Sequence, residues 1–246
     1  MSTPFSRIMS LGRAEFRQLL RNRTLMGMML LPLAPVLMLY KTNADDPSAG
    51  AAASTDLLIQ FVLLFGVYYP VLSITAARRD EKVLKRLRVG ELTDPDILVS
   101  LSAPAILSSL TVIALGAAGL LLLGSPLPDH PGPVVVAVVL GIPLVWGMAL
   151  LTSIVTPTAE AAQMTSMPVM ILIMLSAGFT RVLFPETLSE AIGYTPFAAG
   201  SDLLHLGWGE SIMQSEGFLR PVLVLSAWTL LCCWAAVRYM KWENDR

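Results

Sequence analysis

Few residues of this 246-residue chain carry groups able to act as nucleophile, base or metal ligand, so their positions decide the chemistry. Ser176 lies in Ser176-Ala177-Gly178, a setting that would suit an acyl-transfer nucleophile if a general base stood beside it. The two histidines, His130 and His205, fall in segments expected outside the apolar runs. No His, Asp or Glu is expected inside a run, which argues against a catalytic triad within a membrane. The same absence argues against an ion- or proton-coupled carrier, which needs intramembrane carboxylates. Glu160 comes nearest, and its expected position at a helix start is accounted for by the helix dipole. The phosphate-binding pattern G-x-x-x-x-G-K-[ST] is absent, and no segment between runs is long enough for a nucleotide-binding domain. Cys232 and Cys233 are adjacent in an apolar run and read as small hydrophobes. No catalytic, cofactor-binding or metal-ligating residue is therefore expected.

What remains is chemistry of docking. The segment Arg78 to Asp96 reads RRDEKVLKRLRVGELTDPD. Helix can run through Arg88 with Val83, Leu84 and Leu87 on one side and the cations on the other. Gly90 suits a helix stop, and Asp94-Pro95 suits an N-cap followed by a first-turn proline. Acidic Asp80, Glu81, Glu91, Asp94 and Asp96 mixed with the cations fit a protein partner better than a lipid surface. In residues 1–23, Phe5, Ile8, Met9, Gly12, Phe16, Leu19 and Leu20 share an arc of about 120°, with Arg7, Arg13, Arg17 and Arg21 outside it. That pattern predicts an interfacial amphipathic helix.

The elements that must position these segments are apolar. Hydrophobic residues make up 54% and charged residues 14% of the chain, against roughly 25% charged in a soluble domain. Six runs are expected to span a membrane, at 24–40, 57–77, 97–123, 134–155, 161–179 and 218–239, forming one all-α bundle over residues 1–246. The first carries Pro32 and Pro35, and because basic residues fill the 23 positions before it, it is not read as a cleaved signal. Fourteen of the 17 basic residues lie in the leader, the Arg78 loop and the tail, whereas the opposite side holds Lys41, Arg181, Arg220 and nine carboxylates. The positive-inside rule predicts both termini and the Arg78 loop in the cytoplasm. Between the fifth and sixth runs, Thr180 to Gly217 is too polar to span and too apolar for a free loop. A broken, re-entrant hairpin is expected there, with Arg181 snorkelling or pairing with a carboxylate near Glu186.

This layout resembles the permease subunit of type-2 ABC exporters, the six-span transmembrane domain of drug, polysaccharide and antibiotic efflux systems, over nearly the whole chain. Glu81-Lys82-Val83-Leu84-Lys85-Arg86-Leu87-Arg88 stands where that family has its cytoplasmic motif, with Lys82-Val83 replacing the usual Gly-Thr and Thr93-Asp94-Pro95 displaced from the usual Ser-Pro. Leu175-Ser176-Ala177-Gly178, Phe184-Pro185, Thr195-Pro196 and Ser201-Asp202-Leu203-Leu204 follow in the family's order and spacing. The resemblance implies that Glu81, Val83, Leu84, Lys85, Leu87 and Arg88 form a coupling helix seated in a groove of an ATP-binding subunit. It implies that residues 179–194 form an outer gate including Phe179, Arg181, Phe184, Pro185 and Glu186. ATP and Mg would be bound by the partner. A second permease chain is expected, as a homodimer in preference to a heterodimer. The Gly, Ala, Ser, Thr, Met and Leu of spans three to five suit an amphiphilic or hydrophobic cargo such as a drug, antibiotic or lipid-like compound. Surrounding lipid, a plasma-membrane location and no nucleic-acid partner complete the expectation. The alternative is a non-transporting assembly or sensor protein on the same fold, and after it an intramembrane enzyme.

The topology has a direct check. With Cys232 and Cys233 replaced, single cysteines at Ser48 and Asp129 should react with an impermeant maleimide on intact cells, whereas cysteines at Arg88 and Asn244 should react only after permeabilisation. Labelling of intact cells at Arg88 would invert the assignment.

Overall fold

The computed structural model describes residues 27, 30–31, 33–81, 94–210 and 217–240, with the side chains of 94 and 95 excepted. The expected interfacial helix at 1–23 and all of the expected coupling segment beyond Glu81 lie outside the described residues. Among the described residues every regular element is a helix, as the all-α reading expects.

Helix α1 covers Leu33–Thr42 and α2 covers Pro47–Phe61. A π-helical stretch, Val62–Tyr68, joins α2 to α3 (Tyr69–Asp80) without interrupting the rod. Then follow α4 (Asp94–Leu122), α5 (Pro131–Ser153), α6 (Ala162–Ser176), α7 (Gly178–Arg181), α8 (Glu186–Ile192), α9 (Pro196–Leu206) and α10 (Leu219–Tyr239). Among the described residues four helices are long and apolar enough to cross a membrane: Pro47–Asp80, Asp96–Leu122, Pro131–Ser153 and Leu219–Tyr239; α6 is shorter but apolar. The protein is a multi-pass membrane protein.

One boundary corrects the sequence reading. The second run was expected at 57–77, with Lys41 to Asp56 as a loop, but the helix begins at Pro47. Asp46 is the cause: its carboxylate accepts the amides of Ser48 at 3.2 Å and Ala49 at 3.1 Å, with Pro47 in the first turn. Small residues Ala49 to Ser54 then let α1 pack against α2. Asp56 is consequently inside a helix and buried, contrary to the expectation that no carboxylate lies within a span. The combined rod of 34 residues is about 50 Å long at 1.5 Å per residue. That exceeds a hydrocarbon core of about 30 Å, so the rod tilts or projects beyond it.

The fifth run, expected at 161–179, is likewise cut. Helix α6 ends at Ser176, Ala177 is extended at φ −63° and ψ 141°, and α7 starts at Gly178.

The centre of the bundle is the pairing of α5 with α10. Gly147 allows it: a Cβ there would meet the carbonyl carbon of Cys232 at 2.9 Å, so the two backbones touch. Pro143 removes a hydrogen bond from the middle of α5, and α10 supplies polar partners beside the gap. Thr229 Oγ1 donates to Leu140 O at 3.2 Å and Cys233 Sγ to Pro143 O at 3.3 Å. The rod packs on this pair through the π-helical stretch and α3, and Tyr68, wholly buried, donates its hydroxyl to Thr152 Oγ1 at 3.0 Å. Such stretches within a helix commonly mark functional positions. By contrast α4 leaves Val99, Leu107, Leu110, Leu115 and Leu121 exposed, a surface suited to lipid.

Replacing Gly147 with Val should therefore force α5 and α10 apart, lowering stability by about 1–3 kcal/mol or more as overpacking does. Thermal melting of the detergent-solubilised protein is the measurement. Gly132→Ala, at the exposed start of the same helix with open space around it, should be neutral or slightly stabilising.

Candidate functional site

Two polar clusters interrupt the apolar bundle. One lies at the end where α6 breaks and the other at the basic end, where α3 finishes.

At the broken end the organising residue is Asp56, with no exposed surface. Its Oδ2 accepts the backbone amide of Gly178 at 3.0 Å and the hydroxyl of Ser201 at 2.6 Å. Its Oδ1 accepts Gln60 Nε2 at 3.3 Å, and the same nitrogen donates to Phe197 O at 3.0 Å. His205 Nε2 stands 3.6 Å from Oδ2. The rod, α7 and α9 thus meet on one carboxylate. Ser201 donates to Asp56 and His205 stands on the same carboxylate, so the hydroxyl faces an acceptor shared with other donors, which gives a lock rather than a nucleophile–base pair. Ser176, the sequence candidate for a nucleophile, shares a hydrogen bond with Thr195 Oγ1 at 2.9 Å. Thr195 in turn caps α9 by accepting the amide of Ala198 at 3.4 Å.

A second layer surrounds the first. Arg181 is 1% exposed, and its Nη1 donates to Asp202 Oδ1 at 2.5 Å. Burial pushes the Asp202 carboxyl above its ordinary value, and the charge and hydrogen bond of Arg181, then His205 and Arg220, pull it back. Arg220 lies over the Tyr194 ring, 4.4 Å from its centroid, and Trp228 Nε1 donates to Tyr194 O at 3.1 Å. Gly193 lets the two guanidinium groups approach: a Cβ there would stand 3.3 Å from Arg181 Nη2 and 3.5 Å from Arg220 Nη2.

At the basic end Arg79 is 2% exposed. Its Nη2 donates to Ser153 O at 2.5 Å and to Thr156 O, capping the last turn of α5 with positive charge. Thr156 Oγ1 and Thr165 Oγ1, on the first turn of α6, are 2.8 Å apart.

The residues expected to form the outer gate divide sharply. Arg181 goes into the core and pairs with a carboxylate, Asp202, not with its neighbour Glu186. Phe179, Pro185 and Glu186 stay at the surface, Phe184 is half-buried, and Val182 and Leu183 beside them are exposed. Of the expected coupling set only Glu81 is described. It ends α3 and forms an exposed ion pair with Arg78 at 3.2 Å, of the kind that contributes little. Val83, Leu84, Lys85, Leu87 and Arg88 lie outside the described residues.

The sequence reading missed Asp56, His205 and the clamp made by Arg79. Asp56 had a signal: Asp46-Pro47 is the same cap-and-proline start that was read at Asp94-Pro95. Arg79 had none, because the orientation bias accounts equally for every arginine in its loop.

Against known proteins, the model of the family described as ABC-2 family transporter protein matches residues 12–238. A comparison with curated proteins finds no match.

Removing one partner of a buried pair strands the other's charge. Arg181→Met should thus cost about 3–5 kcal/mol in detergent melting, and adding Asp202→Leu should recover much of it. Glu186→Gln, at the surface, should stay within about 0.5 kcal/mol of the parent protein.

Proposed function

The chain belongs to the ABC-2 transporter family, and we propose that it is the permease half of an ATP-driven exporter for an amphiphilic or hydrophobic compound. Membership makes it the membrane component of an ABC transporter, with an ATP-binding subunit as partner. The chain crosses the plasma membrane six times, the four long helices being joined by α6 and by the run containing α1. Both termini and the Arg78 loop are cytoplasmic. Two copies enclose the pathway, the partner binds ATP and Mg, and residues 81–88 dock in the partner's groove. Residues 179–194 close the pathway on the outer side.

The observation that carries this reading is the rod Pro47–Asp80. One unbroken helix holds Asp56, which locks the broken α6–α7 joint, and Arg79, two residues before the segment assigned to the partner. A displacement applied at Asp80 therefore reaches the joint through rigid helix rather than through a flexible linker. The apolar walls suit a cargo without much charge. A lateral groove of about 360 Å³ between α4 and α5, lined by Val99, Ser102, Ile106, Leu107, Ile142 and Trp146, has the same character. Trp146 Nε1 donates to Ser102 Oγ at 2.8 Å and so removes the polar atoms from that wall.

Docking is tested at its apolar anchors. Leu84 and Leu87 are three residues apart on the expected helix, and burying each contributes roughly 1.5–3 kcal/mol. Replacing both with Asp should leave a correctly inserted permease that no longer co-purifies with its ATP-binding subunit, or that fails to stimulate its hydrolysis. Normal binding and stimulation by that variant would remove the coupling role from this loop.

A further inference from the structure

We propose that Arg79 is a positioning residue for transport, binding the rod to α6 at the basic end so that the two helices move as one body during the ATP cycle. The proposal rests on the exporter reading above and concerns a residue outside the docking segment.

The rod and α6 are tied at both ends. At the broken end Asp56 takes the amide of Gly178, the residue that restarts the helix after α6. At the basic end Arg79 Nη2 reaches two carbonyls: Ser153, which ends α5, and Thr156, in the connection to α6. Thr156 then joins Thr165 in the first turn of α6 at 2.8 Å, completing the path from α3 to α6. Tyr68 on the rod, through Thr152, fixes the same end of α5 one turn earlier. Without Arg79 the connection 154–161 would be held to the rod only indirectly, and motion of α3 would bend that connection in place of shifting α6.

The chemistry of the residue favours this role over a simple helix cap. A C-terminal turn is capped cheaply by an exposed lysine or a glycine. Here a guanidinium is taken fully out of solvent, with Nε and Nη1 lacking hydrogen-bond partners among the described residues. Unsatisfied buried donors are costly. What the arginine supplies in return is reach: Nη2, at the far end of the guanidinium, donates to Ser153 O and Thr156 O at once, and the shorter lysine side chain holds its ammonium nearer the rod.

The test uses the permease co-purified with its ATP-binding subunit, with Cys232 and Cys233 replaced and Val155→Cys as the reporter. Val155 is 71% exposed in the α5–α6 connection, so a maleimide reaches it without disturbing the core. With Arg79 intact, trapping the complex with ATP and vanadate should change the labelling rate at position 155. Arg79→Lys should still assemble, hydrolyse ATP at the basal rate and melt within a few degrees of the parent, while the nucleotide-dependent change in labelling falls roughly tenfold, the effect of losing one charge-assisted hydrogen bond. Thr165→Val, which leaves the guanidinium in place and breaks the last link to α6, should abolish the nucleotide-dependent change in labelling at a second reporter, Met164→Cys, while preserving it at position 155.

Three results would overturn the proposal. One is an unaltered nucleotide response in Arg79→Lys. Another is loss of assembly or melting temperature in step with the response, which would make Arg79 a structural clamp only. The third is a position 155 that never responds with Arg79 intact. Failure of the exporter reading looks different: it is normal binding and normal stimulation of the ATP-binding subunit by the Leu84 and Leu87 variant, whatever Arg79 does.

Discussion

A helix that breaks inside an apolar bundle leaves an amide without a partner, and satisfying that amide is the constraint around which this protein is arranged. The amide is that of Gly178, and its acceptor is Asp56 on a different helix. A buried carboxylate is itself unfavourable unless donors fill its oxygens. Asp56 has Gly178, Ser201 and Gln60, from three elements. Each of these groups would be a liability alone, and together they neutralise one another. Helices α7 and α9 are therefore tied to the rod at one carboxylate, in addition to the apolar burial of Phe197, Leu203 and Leu204 that seats α9.

The bundle divides into parts of different character as a result. Helices α5 and α10 are joined backbone to backbone at Gly147, and hydrogen bonds from α10 reach Leu140 O and Pro143 O beside the proline in α5. They form a stiff centre. The rod and α6 are joined by polar contacts at their ends and by comparatively little packing between. Directional bonds at two points hold the relative position of the rod and α6 although little packing lies between them, whereas α5 and α10 are held along a close-packed face.

Much of this was legible in the sequence and the rest was hidden for physical reasons. Hydropathy located α4, α5 and α10 to within a few residues because long apolar stretches have few alternatives in lipid. The pairing of Arg181 with a carboxylate was among the expectations, from the cost of an isolated charge, but the break after Ser176 was not, since the fifth run was expected to continue to Phe179. The start of the rod was not read, since Ala49 to Ser54 looks polar and small by composition although Asp46-Pro47 announces a helix. Asp56 was counted with the loop carboxylates for the same reason. Partners such as Asp202 for Arg181, or Thr156 for Arg79, are separated by 21 and 77 residues and depend on how the helices cross. Spacing along the chain carries no signal for them.

The division of labour at the broken end has an evolutionary consequence. The groups that secure the hairpin, namely Asp56, Arg181, Gly193, Ser201 and Asp202, all point inward, and a change at any of them disturbs several others. Phe179, Val182, Leu183 and Leu188 point outward and take no part in that network. Mutation can therefore rewrite the exposed rim, residue by residue, without threatening the fold. A lineage can alter that rim and keep the same joint, so that sequence divergence among descendants accumulates on the rim while the inner groups stay fixed.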